Sequence, residues 1–184
     1  MTTVAIIGAG PLGRWLALSA ARAGFRVLLE DVMPTNLHHA QEMLRQELGA
    51  EAVGAHSGSG VQFVSTIEDA VREADLAIDC VPDELESKLE IFWLLDRMAP
   101  PRTVLATPTT RLSIADLANC TYRPDKCVAI VAEASSLAAG LSTGILLRRT
   151  ERTSAETVAL VERFWRGLGF GATFEMDGGE GPGT

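Results

Sequence analysis

The 184-residue chain is 47% hydrophobic and 22% charged, which supports one sizeable core and excludes a disordered, collagen-like or low-complexity chain. Its net charge of −8 arises from residues 50–100, where eleven acids stand against three bases, the opposite of what a nucleic-acid surface needs. No apolar run approaches the roughly 20 residues of a membrane span, the first residues carry no basic leader, and Cys80, Cys120 and Cys127 form no CxxC pair; the expectation is a reduced, cytoplasmic protein of one domain, with no nucleic-acid or membrane partner.

Short β-like runs alternate with helical patterns along the chain. Residues 4–8 form an apolar run closed by glycine, the mark of a buried parallel strand. Residues 11–23 read as a helix, with Pro11 in its first turn and Gly24 as its stop. A second strand covers 27–30. Leu37, Ala40, Leu44 and Leu48 then recur at helical spacing between Pro34 and Gly49. Residues 54–60 are a flexible loop by composition.

Residues 61–65 alternate as a strand, and Thr66 to Asp69 opens a short helix with a capping-box pattern. The run 76–81 is the next buried strand, stopped by Pro82. Leu85, Leu89 and Phe92 share a stripe on a helix that ends at Pro100 and Pro101. Further strands are expected at 103–107, at 127–132 and, in antiparallel sense, at 144–147. Helices start at Ser113 and near Thr153, the second placing Val158, Val161 and Trp165 on one face. Residues 171–176 close the pattern. Strands separated by helices predict an α/β, doubly wound, mostly parallel sheet in one domain spanning 1–184.

One motif carries the function. Gly8-Ala9-Gly10-Pro11-Leu12-Gly13 follows the first strand and opens the first helix, the context in which a GxGxxG pattern gains meaning. Gly8 permits the tight turn, Gly10 lets a pyrophosphate approach the backbone, and Gly13 lets helix and strand pack closely. The helix N-terminus offers free N–H groups; since Pro11 has none, the Leu12 amide carries more of the contact. Asp31 lies eighteen residues after Gly13 at the end of the second strand. An acid there accepts hydrogen bonds from the adenosine ribose hydroxyls and repels a 2′-phosphate. Glu30 adds to that repulsion, and Val32 completes this end of the site. NAD is therefore expected rather than NADP. The plainer alternatives are a structural glycine turn and a solvated strand-end acid.

With these residues the chain resembles the NAD-binding domain of the 3-hydroxyacyl-CoA dehydrogenases. Besides the glycine turn and Asp31, the resemblance rests on Asp79 to Asp83, Lys88, Ala106 to Thr110, Leu112 to Ile114, Glu151 to Ser154 and the glycine-proline-glycine at 181–183. It implies a Rossmann fold, NAD, and an acyl-CoA or other small-molecule substrate. Cys80 and Val81 would lie along the cofactor, Lys88 near its ribose or nicotinamide, and Thr110 where the family places a serine beside nicotinamide and substrate. Lys88 reads equally well as a surface cation. The family's helical second domain has no counterpart by 184, which implies exposed apolar surface near the last strands and a homodimer.

Three departures matter. The family's asparagine falls on Pro108, its general-base histidine on Val131, and the glutamate that orients that histidine near Leu146. Glu133 is the nearest ionisable replacement and is the candidate catalytic base beside Thr110, although an ordinary strand-end acid is the favoured reading of it. His38 and His39 belong to a helix at the adenosine end, and His56 to the loop. No metal-ligand spacing is present. Two functions stay open: an NAD-dependent oxidoreductase, and a catalytically silent NAD(H)-binding sensor or scaffold.

Overall fold

The computed structural model describes residues 1–54, 60–132 and 144–178. The first half builds β1 (Thr3–Ile7), α1 (Pro11–Arg22), β2 (Arg26–Glu30), α2 (Pro34–Leu48), β3 (Gly60–Val64), α3 (Ile67–Val71) and β4 (Leu76–Asp79). The second adds α4 (Leu85–Met98), β5 (Val104–Pro108), α5 (Ile114–Asn119), β6 (Cys127–Val131), β7 (Gly144–Arg149), α6 (Ala155–Gly167) and β8 (Gly171–Met176). Among the described residues the strands make one eight-stranded sheet in the order β3-β2-β1-β4-β5-β6-β7-β8.

The strands from β3 through β6 pair in parallel. Then β7 runs antiparallel to β6, and β8 follows β7 in parallel. Alternation along each strand feeds two cores. Val4 and Ile6 of β1 pack with Leu16 and Ala20 of α1, Leu44 of α2 and Phe164 and Trp165 of α6. Ala5 and Ile7 pack on the other face with Val71 of α3, Phe92 and Leu95 of α4 and Leu117 of α5. Helices on both faces of a mostly parallel sheet define a doubly wound α/β domain.

Helix starts follow local chemistry. Thr66, Ser113 and Ser154 each accept a hydrogen bond from the backbone N–H three residues on, at 3.1, 3.2 and 3.2 Å, satisfying a donor the helix itself cannot. Pro11 and Pro34 occupy first helical turns. Two expectations need correction. The fourth strand ends at Asp79, two residues early. In α4 the buried stripe is Lys88, Phe92 and Leu95, while Leu85 is 45% exposed; a buried partner for Lys88 turns the helix. Residues 55–59, which include His56, and 181–183 lie outside the described residues.

Candidate cofactor site

The strand order reverses between β1 and β4, because the chain winds outward through β2 and β3 and then back through β5 and β6. The crevice beyond the C-terminal ends of these two strands is where such sheets bind ligands. A cavity of about 670 Å³ opens there, lined by Gly8, Gly10, Pro11, Leu12, Glu30, Asp31, Val32, Asn36, Cys80, Val81, Asp83, Pro108, Thr110 and Ala132 among others.

The glycine turn forms its rim. Gly8 has φ +106°, and a Cβ there would meet the Cys80 carbonyl at 3.1 Å. A Cβ on Gly13 would stand 1.8 Å from the Gly8 carbonyl oxygen, so α1 can approach β1 this closely only with glycine. Gly13 therefore supports the turn from behind. Gly10 is different: a Cβ there would touch nothing, since it faces open space. An open backbone at the start of a 12-residue helix is a cradle for an anionic group. The residues present fit a dinucleotide.

Asp31 shapes this turn before any ligand arrives. One carboxylate oxygen accepts the Ala9 N–H at 2.8 Å and the Asn36 side-chain amide at 3.1 Å, and the other accepts the Met33 N–H at 2.8 Å. A carboxylate has about four lone-pair positions, so capacity remains for a ribose hydroxyl. Asn36 escaped the sequence reading, since nothing in its spacing signals that it steadies Asp31. Val32 borders the cavity at its mouth and is 82% exposed. Beside Asp31, burial and the Asp31 charge push the Glu30 carboxyl up to about 7.

The opposite wall is the β4–α4 loop. Cys80 and Val81 line it, as expected. Burial, with the Asp79 charge beside it, pushes the Cys80 thiol up, so this wall offers no thiolate. Asp83 accepts the Thr110 N–H at 3.3 Å, and its carbonyl accepts from Arg111 at 3.2 Å, tying this loop to the one after β5.

Lys88 is a correction to both expectations, since it neither borders the cavity nor lies on the surface. It is fully buried and bonded to Asp79 at 3.2 Å, the Thr107 hydroxyl at 2.9 Å and the Val81 carbonyl at 3.4 Å. Thr107 also donates to Asp79 at 2.9 Å. Burial pushes the Asp79 carboxyl up; Lys88, the Val81 N–H and Thr107 oppose it. Lys88 lies under the site and holds the Val81 peptide in place.

At the far end, Thr110 and Pro108 line the cavity, Pro108 being the position on which the resemblance places the family's asparagine. Val131 and Leu146 are paired directly across β6 and β7. The position on which the resemblance places the family's histidine, and the one near which it places the orienting glutamate, are therefore neighbours, and both are aliphatic. Glu133 lies outside the described residues. Among the described residues no group of three metal-binding side chains occurs, and no helix is long and apolar enough to cross a membrane.

A glycine turn under a helix N-terminus at the switch point, with an acid ending the second strand, defines a dinucleotide-binding domain. A family model described as "3-hydroxyacyl-CoA dehydrogenase, NAD binding domain" matches residues 3–172. The chain belongs to this family, and NAD is its cofactor. It is 30% identical over 175 residues to a probable 3-hydroxybutyryl-CoA dehydrogenase of Bacillus subtilis, covering 87% of this chain and 58% of that protein. It is also 30% identical over 171 residues to 5-formyl-3-hydroxy-2-methylpyridine 4-carboxylate 5-dehydrogenase of Mesorhizobium japonicum, covering 90% and 54%. A crystal structure of a 5-dehydrogenase acting on that pyridine compound, an NAD⁺-dependent dismutase, superposes with a TM-score of 0.80 at 27% identity, over 96% of this chain and 59% of the other. The chain thus spans about half the length of the curated relatives it matches.

Proposed function

We propose that the chain is the NAD(H)-holding domain of a 3-hydroxyacyl-CoA dehydrogenase-type oxidoreductase, serving hydride transfer between NAD and a 3-hydroxyacyl-type substrate such as an acyl-CoA. The observation that carries this reading is convergence: the glycine turn, the α1 N-terminus and Asp31 share one cavity that continues to Thr110. Gly8, Gly10 and the Leu12 amide hold the pyrophosphate, with Pro11 shaping the turn and Gly13 backing it. Asp31 takes the adenosine ribose beside Val32, and Cys80 and Val81 flank the cofactor. NAD supplies the hydride chemistry. Thr110 positions the substrate oxygen, and Glu133 is the carboxylate available to take its proton.

A second reading is favoured by the Val131–Leu146 pair and by Pro108. Without a positioned base, hydride transfer loses roughly 10²–10⁴ from acid–base catalysis, and the chain would be a silent NAD(H) sensor or scaffold. Stopped-flow mixing of the NADH-loaded protein with acetoacetyl-CoA separates the two. Oxidation of NADH that disappears in Glu133→Gln supports the oxidoreductase; tight NADH binding with no turnover of any short 3-ketoacyl-CoA supports the silent module. We further propose a homodimer in a reducing cytoplasm. β8 ends the sheet with Met176 39% exposed, and the three cysteines are free. Sedimentation at micromolar concentration is expected to give twice the monomer mass; a monomer counts against it.

A further inference from the structure

Glu30 ends β2 beside Asp31, and alternation sets its direction. Val27 and Leu29 enter the core under α1, while Leu28 enters the core under α4, so Glu30 shares the face of Leu28. In register beside it stand Ile7 of β1 and Val64 of β3. The cavity wall on this side continues through Ile67 of α3 and Val81 and Ile91 of the β4–α4 segment. Glu30 is 5% exposed, and no hydrogen bond reaches its carboxyl group among the described residues. The carboxyl oxygens are not closed off from water: the group opens onto the cavity, where it borders an apolar slot next to the acid that suits the adenosine ribose.

Resting on the NAD reading of this same cavity, we propose that Glu30 is the adenine-recognition residue: its carboxyl group, carrying a proton, donates O–H to an adenine ring nitrogen and accepts the adjacent amino N–H. Adenine presents an acceptor and a donor side by side, the arrangement a side-chain amide reads in two bonds, and a neutral carboxylic acid offers the complementary pair. The aliphatic side chains around it suit the faces of the ring. An ionised carboxylate could only accept, and the ring nitrogen would be left unpaired. Cofactor binding therefore moves one proton from solvent to Glu30 whenever that site is ionised beforehand.

The charges around Glu30 do not supply that proton. Asp31 is the charge acting on it. Asp83 and Cys80 belong to the facing loop, Glu68 on α3 and Glu90 on α4 are exposed, Asp69 is tied to Thr66 and Arg72, and Lys88 is tied to Asp79. Burial has already brought Glu30 to about 7, so uptake falls in the neutral range.

The test is NADH binding followed by fluorescence from pH 6 to 8, with calorimetry at pH 7.5 in buffers of different ionisation heat. The wild-type dissociation constant is expected to rise about tenfold over that range, with roughly half to one proton taken up per NADH at pH 7.5. Glu30→Gln, which keeps a donor and an acceptor without titrating, is expected to vary less than twofold. Zero proton uptake, an equal slope in Glu30→Gln, or affinity rising with pH would each overturn the assignment. Absence of NADH binding throughout would overturn the cofactor reading itself.

Discussion

Glu30 also has a consequence for the free protein, because its folded value of about 7 exceeds the ordinary 4.5. The folded state then holds this proton more tightly than the unfolded chain. Its contribution to stability is fully present below about 4.5 and is lost as pH rises through 7. Two and a half units correspond to about 3 kcal/mol at most. In urea titrations without cofactor, the stability of wild type relative to Glu30→Gln is expected to fall by roughly 1–3 kcal/mol between pH 4.5 and pH 8; a constant difference would contradict the raised carboxyl. Lys88 gives the complementary case. Lys88→Met leaves Asp79 buried without its cation, a change that costs roughly 3–5 kcal/mol. Adding Asp79→Leu removes the orphaned charge, and the double variant is expected to recover most of that loss in the same titration.

At the scale of elements, the relation of α1 to β1 is the most tightly specified. Gly13→Ala places a methyl group 1.8 Å from the Gly8 carbonyl oxygen, backbone against side chain with no flexible end to yield. Helix α1 must move outward, with an overpacking cost of roughly 1–3 kcal/mol. Denaturation should show that loss, and NADH titration should show weakened binding, because the amides at the cavity rim move with the helix. This contact was legible in the sequence, as were the strand–helix alternation and the helix starts at Thr66 and Ser113, while the last helix, expected from Thr153, is capped one residue later by Ser154. Each depends on residues within a few positions of one another. The burial of Lys88 was not legible, because its partners Asp79 and Thr107 lie on two strands that meet only in the folded sheet. The α4 stripe was misread for the same reason: Leu85, Leu89 and Phe92 satisfy a helical period, but the ion pair selects Lys88, Phe92 and Leu95. Asn36 was missed because its link to Asp31 is a side-chain bond with no periodic signature.

For the whole molecule, the cavity bridges two halves of the sheet that also meet through the β1–β4 pairing and the cores on both faces. The glycine turn, Glu30 and Asp31 come from the β1–β2 side, and Cys80, Asp83 and Thr110 come from the β4–β5 side. A ligand held by both sides opposes their separation, so cofactor binding stabilises the whole domain. At a free NADH concentration a hundred times the dissociation constant, mass action contributes about 2.7 kcal/mol. For a chain of this length that raises the melting temperature by roughly 5–10 °C. Gly10→Ala isolates the effect. Gly10 has φ −67°, which alanine adopts freely, and the added methyl group meets no atom of the protein. Without cofactor the variant should melt close to wild type, within about 1 kcal/mol. That methyl group occupies the space into which the proposed pyrophosphate must come. The NADH-dependent rise is therefore expected to vanish in Gly10→Ala while the fold persists. A full rise in the variant would place the pyrophosphate away from this turn.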